Sequence, residues 1–138
     1  MKRARIEQSR PAGEHHAVLT IVGGPDGYRP EPCKGCPWRL DTVGMFPAEA
    51  FRHSANTAQD MSHNTFACHE QGSKKPATCA GFLLRGAIHN FAIRLKWARG
   101  ERFENLSDGG HELHESYRAM AIANGVAPDD PAIEKVRP

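Results

Sequence analysis

Four cysteines, Cys33, Cys36, Cys68 and Cys79, are the only ones in this chain of 138 residues, and they limit what it can fold into more than any other feature. The first two belong to the stretch Cys33-Lys34-Gly35-Cys36-Pro37-Trp38-Arg39. A C-x2-C turn containing a small residue such as Gly35 lets two sulfurs converge on one point. The second two are separated by ten residues that include Gly72 and Pro76, enough chain to fold back on itself. Four thiolates from two segments complete the closed tetrahedral shell of a structural zinc, or supply the four ligands of an iron–sulfur cluster. Spacing alone does not separate these two metals.

Disulfides and unligated buried or redox-active thiols are the other readings. Disulfides lose ground because no secretory signal is present and a chain of this size folds without staples. A thioredoxin-like redox pair would put its C-x-x-C at a helix start within a βαβ unit, whereas Pro32 and Pro37 bracket this one. His69 follows Cys68 and His63 precedes it by five residues. Either could replace one cysteine in a shell of three thiolates and one imidazole, but adjacent residues seldom both reach one tetrahedral ion, so His69 reads as a residue behind the ligands or on the surface, with ligation as the alternative.

A metal would supplement a modest core. Aromatic residues make up 7% of the chain, against 13 glycines and 10 prolines, which points to a small loop-rich fold. The length fits a single metal-stabilised domain over residues 17–138, preceded by a mobile basic arm over residues 1–16 that carries Lys2, Arg3, Arg5 and Arg10. The class expected is α+β, mainly helical, built around a four-cysteine metal centre with one N-terminal strand or hairpin. A net charge of +2 gives no global nucleic-acid signature. Its distribution is uneven: residues 1–32 carry +1, 33–102 carry +5 and 103–138 carry −4. Such polarity steers an anionic partner or supports an internal contact. No apolar run is long enough to span a bilayer and no signal-type segment follows the N-terminus, so a soluble, cytoplasmic protein without a membrane partner is expected. That reducing compartment suits thiolate ligands.

Along the chain, Ala17–Val22 reads as a strand ending at a Gly-Gly-Pro-Asp-Gly turn. Pro47 starts a short helix over 48–59 with Phe51 as its main buried residue. Residues 65–67 lead into Cys68 as an extended piece. The longest periodic segment runs from about Gly81 to Arg99, where Leu84, Ile88, Phe91, Leu95 and Ala98 predict one continuous core helix starting near Cys79. Its other side gathers Arg85, His89, Lys96 and Arg99. His111-Glu112-Leu113-His114 falls one residue short of H-E-x-x-H; histidines three apart on a helix would still share a face and offer a second metal site. Leu113, Tyr117, Met120 and Ala121 continue an apolar stripe toward a cap at Gly125, and Asp130-Pro131 opens a last short helix.

The blocks Pro32-Cys33-x-x-Cys36-Pro37-Trp38-Arg39, Phe66-Ala67-Cys68-His69, Cys79-Ala80-Gly81-Phe82 and Met120-Ala121-x-x-Asn124-Gly125 together resemble a family of small uncharacterised proteins of bacteriophages and prophage regions, over roughly residues 30–137. The resemblance implies a metal-binding cysteine set and a mobile-element setting, with no reaction attached. It also implies a partner, since small phage proteins often act on a host enzyme, polymerase or defence complex.

Three functions compete. The first is a zinc-stabilised module that binds a host protein or protein–nucleic-acid complex. The second is direct nucleic-acid binding, for which Trp38, Arg39, Lys74, Lys75, Arg85, Lys96 and Arg99 would supply stacking and phosphate contacts. The favoured role for Trp38 is instead that of a packed residue that covers the metal and shields its thiolates from water. The third is an enzyme, either an iron–sulfur redox protein or a hydrolase using His111, Glu112 and His114. Four cysteines fill every position that a catalytic zinc would leave open, and no Ser/His/Asp or Cys/His pairing is legible.

Overall fold

The computed structural model describes residues 27–68 and 77–138, together with the backbone of residues 5–13 and 16–22. His69, Lys74 and Lys75 lie outside the described residues, as do residues 1–4 of the expected arm. Strand β1 (Arg5–Gly13) pairs antiparallel with β2 (His16–Val22), and the end of β2 pairs with the short β3 (Asn64–Thr65). The strand expected over 17–22 is therefore present, and part of the stretch expected as an arm is its backbone partner.

Helix α1 (Ala48–Ser54) follows Pro47, whose fixed φ of −69° suits the entry to a helix. Glu49 sits in its first turn and Arg52 in its last, the order that complements the helix dipole. Phe51 is buried as expected, and the helix tightens into a 3-10 turn at Ala55–Ala58. The Tyr117 hydroxyl reaches α1 from α4 (Tyr117–Ala123), donating to the Phe51 carbonyl at 2.7 Å and bonding Ser54 Oγ. This buried tyrosine joins two elements far apart in the chain.

The single helix expected from Gly81 to Arg99 is corrected: the chain forms α2 (Ala80–Arg85) and α3 (Phe91–Ala98) with a break between them. Asn90 enforces the break. Its Oδ1 accepts the Ile93 N–H at 3.1 Å as an N-cap, and its Nδ2 donates to the carbonyls of Thr57 at 3.1 Å and Asn64 at 2.7 Å. A buried amide satisfied on both ends fixes where α3 begins. Asn90→Ala should cost about 2–3 kcal/mol, because it removes a cap and takes the donor from one buried and one half-buried carbonyl. Urea unfolding measures that loss, and Asn90→Asp should not restore it, since a carboxylate cannot donate to them.

Two short helices bury different faces from those of one long one. Phe82, Leu83, Ala87 and Ile93 enter the core, whereas Ile88 of the expected stripe is 68% exposed. No helix among the described residues is long and apolar enough to cross a membrane.

Trp38 occupies the centre of the core at 0% exposure. Phe66 and Tyr117 meet its ring edge-on with centroids 5.9 and 5.8 Å away. The backbone of α2 closes the other side: a Cβ on Gly81 would lie 2.4 Å from Trp38 Cβ, and one on Gly86 would lie 2.7 Å from Trp38 Cη2. Both glycines are needed for close approach. Gly81→Ala is expected to destabilise by about 1–3 kcal/mol, since the indole is hemmed in and cannot yield. A thermal melt of that variant checks it.

Candidate metal centre

The turn carrying Cys33 and Cys36 is made by two successive backbone bonds, from Cys36 N–H to the Cys33 carbonyl at 3.0 Å and from Arg39 N–H to the Cys36 carbonyl at 3.1 Å. Pro32, Pro37 and Trp38 are buried around it, so the turn is rooted in the core. Thr42 Oγ1 donates to the Cys36 carbonyl at 2.8 Å from within a 3-10 turn, Leu40–Thr42.

The second pair comes from a narrow ribbon. Residues 77–79 run between two neighbours: Cys68 N–H donates to the Ala77 carbonyl at 2.7 Å and Cys79 N–H to the Phe66 carbonyl at 2.9 Å, while Thr78 exchanges bonds with Gly27 and Arg29. Around the antiparallel bridge Ala67↔Thr78, residues 68 and 79 both alternate to the face opposite that bridge. Cys68 and Cys79 are thus diagonal neighbours on one side of the ribbon. Cys79 then takes the N-cap position of α2, with no hydrogen bond from the helix to its side chain.

All four cysteines are buried and none is disulfide-bonded. Cys36 Sγ lies 3.6 Å from Cys79 Sγ. That is far beyond a disulfide of about 2.0 Å and close to the edge of about 3.8 Å expected for a tetrahedron with metal–sulfur bonds of about 2.3 Å. Cys33 also hydrogen-bonds the Cys36 thiol and pulls its pKa down, as does the Trp38 backbone N–H; contact with Cys79 and burial outweigh them and push it up overall. The Cys36 thiol thus favours its neutral form in the absence of a cation, and becoming a metal ligand would release its proton. Among the described residues, no three His, Cys, Asp or Glu side chains form a group that could hold a metal ion as they stand.

The residues expected on a partner surface fare differently. Trp38 is a core residue, which bears out its packed reading and corrects its place among the macromolecule contacts, because α2 supplies glycines where its ring must fit. Arg39 turns back on the cysteine turn, donating from Nη1 to the Cys33 carbonyl at 3.4 Å and the Lys34 carbonyl at 3.1 Å while pairing with Asp41. Lys96 is only 7% exposed, with Glu101 Oε1 3.6 Å from its Nζ. Arg85 and Arg99 are exposed, yet the break after α2 removes the common helical face that would have aligned them with Lys96.

His111 and His114 precede α4 and do not share a helix. Leu113 bridges Arg39, with Leu40 N–H donating to the Glu112 carbonyl and His114 N–H to the Trp38 carbonyl. His114 is 4% exposed and its Nε2 is buried without a hydrogen-bond partner. Burial lowers its pKa from the ordinary 6.5. The folded state therefore disfavours the imidazolium, and stability present above about pH 6.5 should be lost as the pH falls through the depressed folded value. Acid titration of the thermal midpoint should flatten in this window for His114→Gln.

Sequence reasoning did not find Thr42 or Asn90. Asn90 had a legible signal, a capping residue directly before the apolar Phe91; Thr42 had none, because its role depends on the turn it buttresses.

Leu40, Val43 and Met45 on the segment after the cysteine turn are exposed, as is Ile122 on α4. Gly44 N–H ties that segment to the end of α4 through Asn124 Oδ1 at 3.2 Å.

Comparison with known proteins returned no curated protein and no solved structure that matches the chain. Residues 28–137, which hold all four cysteines, the core around Trp38 and helices α1 to α4, match a family of unknown function, DUF6283, and the chain belongs to that family.

Proposed function

We propose that this chain is a phage-type accessory protein, a structural-zinc module that acts by binding a host macromolecule, with a nucleic-acid-handling or defence complex as the partner class. The observation that carries the metal part is the approach of the buried Cys36 and Cys79 sulfurs to 3.6 Å across two distant segments, with Cys33 bonded to the same thiol. A tetrathiolate zinc has this donor set, and a shell with no open position suits a scaffold better than a catalyst. A reducing cytoplasm, that of the host for a phage-encoded chain, keeps such thiols available.

The binding part is supported by the exposed Leu40, Val43 and Met45, three large apolar side chains within six residues of chain just after the cysteine turn, since exposed apolar surface marks contact sites when it is contiguous. Direct nucleic-acid binding loses Trp38 and Lys96 to the interior, which leaves it the weaker reading.

Elemental analysis and a visible spectrum of protein purified without oxygen test the metal. One equivalent of zinc and no colour is the expected result. Iron with sulfide and a brown chromophore would replace zinc with a cluster, and the absence of both metals would overturn the metal reading. Affinity capture from bacterial lysate tests the partner: a specific protein should be retained by the wild type and lost with Leu40→Glu/Met45→Glu.

A further inference from the structure

The Arg39 guanidinium spans the back of the cysteine turn. Its Nη1 reaches the carbonyls of both Cys33 and Lys34, its Nε and Nη2 grip Asp41, and its side chain is only 13% exposed. Among the described residues, it is the cationic side chain hydrogen-bonded to the turn that carries two of the sulfurs. Four thiolates around a divalent ion leave a net charge of about −2, which is costly to bury without a compensating cation. We propose that Arg39 is a positioning and charge-compensating residue for a tetrathiolate metal, holding the Cys33–Cys36 turn in its chelating shape and offsetting the anionic shell. This rests on the metal reading above.

The split of duties on one side chain is chemically apt: Asp41 fixes the fork from solvent, leaving Nη1 to face the turn. A lysine at this position would keep the charge and lose the fork.

The test uses cobalt(II) as the probe, on full-length wild type, Arg39→Gln, Arg39→Lys and the remote Arg52→Gln. Arg52 pairs with Asp130 and Glu49 and has no part in the cysteine turn. Arg39→Gln should bind cobalt about tenfold or more weakly, in the range seen when partners behind metal ligands are removed. It should also shift the sulfur-to-cobalt charge-transfer band to lower energy, because sulfurs that lose a nearby cation give up electrons more easily. Arg39→Lys should restore the band position and only part of the affinity. Arg52→Gln should leave the band in place even where it lowers the melting point. A wild type with no charge-transfer band overturns the metal reading itself. A normal band that Arg39→Gln leaves unmoved overturns the assignment of Arg39 alone, and so does a band that Arg52→Gln shifts equally.

Discussion

Cys36→Ser is expected to abolish zinc retention and to remove or greatly lower the cooperative thermal transition. Cys36 is 0% exposed and touches both Cys33 and Cys79. In small metal domains, binding energy is folding energy, with apparent values of about 10–16 kcal/mol for structural zinc in finger peptides. A change that forfeits half or more of that, about 5–8 kcal/mol or above, matches or exceeds the low end of ordinary domain stability, about 5 kcal/mol. Replacing a buried sulfur by oxygen in a protein that binds no metal would instead cost only about 1–3 kcal/mol. Calorimetry separates the two. A strong chelator should bring the wild-type midpoint down to that of Cys36→Ser and leave the variant unaffected. An unchanged midpoint in the variant would sink the structural-metal role.

Trp38→Ala should be the most damaging single change outside the cysteines, at about 3–5 kcal/mol. The ring is the largest fully buried side chain, packed by Phe66, Tyr117 and the two glycines of the α2 region. Its truncation leaves a cavity that those rigid neighbours cannot fill. Trp38→Phe should cost considerably less. The indole Nε1 is buried without a hydrogen-bond partner, so the smaller ring abandons volume and no bond. Urea denaturation measures both. A nucleic-acid stacking residue would behave in the opposite way, with Trp38→Ala costing little stability and much binding.

The local features of the sequence were read correctly where one residue type enforces one conformation. The strand over 17–22, the helix after Pro47 with Phe51 inward, the capped end near Gly125 (φ +103°) and the Asp130-Pro131 turn all depend on neighbours within a few residues. The four-cysteine set was also legible as a candidate, because its spacing is chemically unusual. The long helix was misread because the spacing from Leu84 to Ala98 satisfies a helical period. The signals against it, Gly86 and Asn90, are weak until one sees that Gly86 makes room for Trp38 and Asn90 bonds Thr57 and Asn64. The basic face failed with it.

By itself, then, the sequence determined the residue chemistry: which side chains can bind a soft cation, where backbone freedom is restricted, and that residues 30–137 form one recognisable unit. Tertiary structure alone decided direction. Arg39 and Lys96 read as surface cations in one dimension, yet one folds onto the cysteine turn and the other is drawn in beside Glu101. Period and composition register hydrophobicity and charge along the chain, whereas a long cation goes where a carbonyl or carboxylate from elsewhere can repay its desolvation. Those partners are fixed only when Trp38 is packed and the two cysteine segments meet.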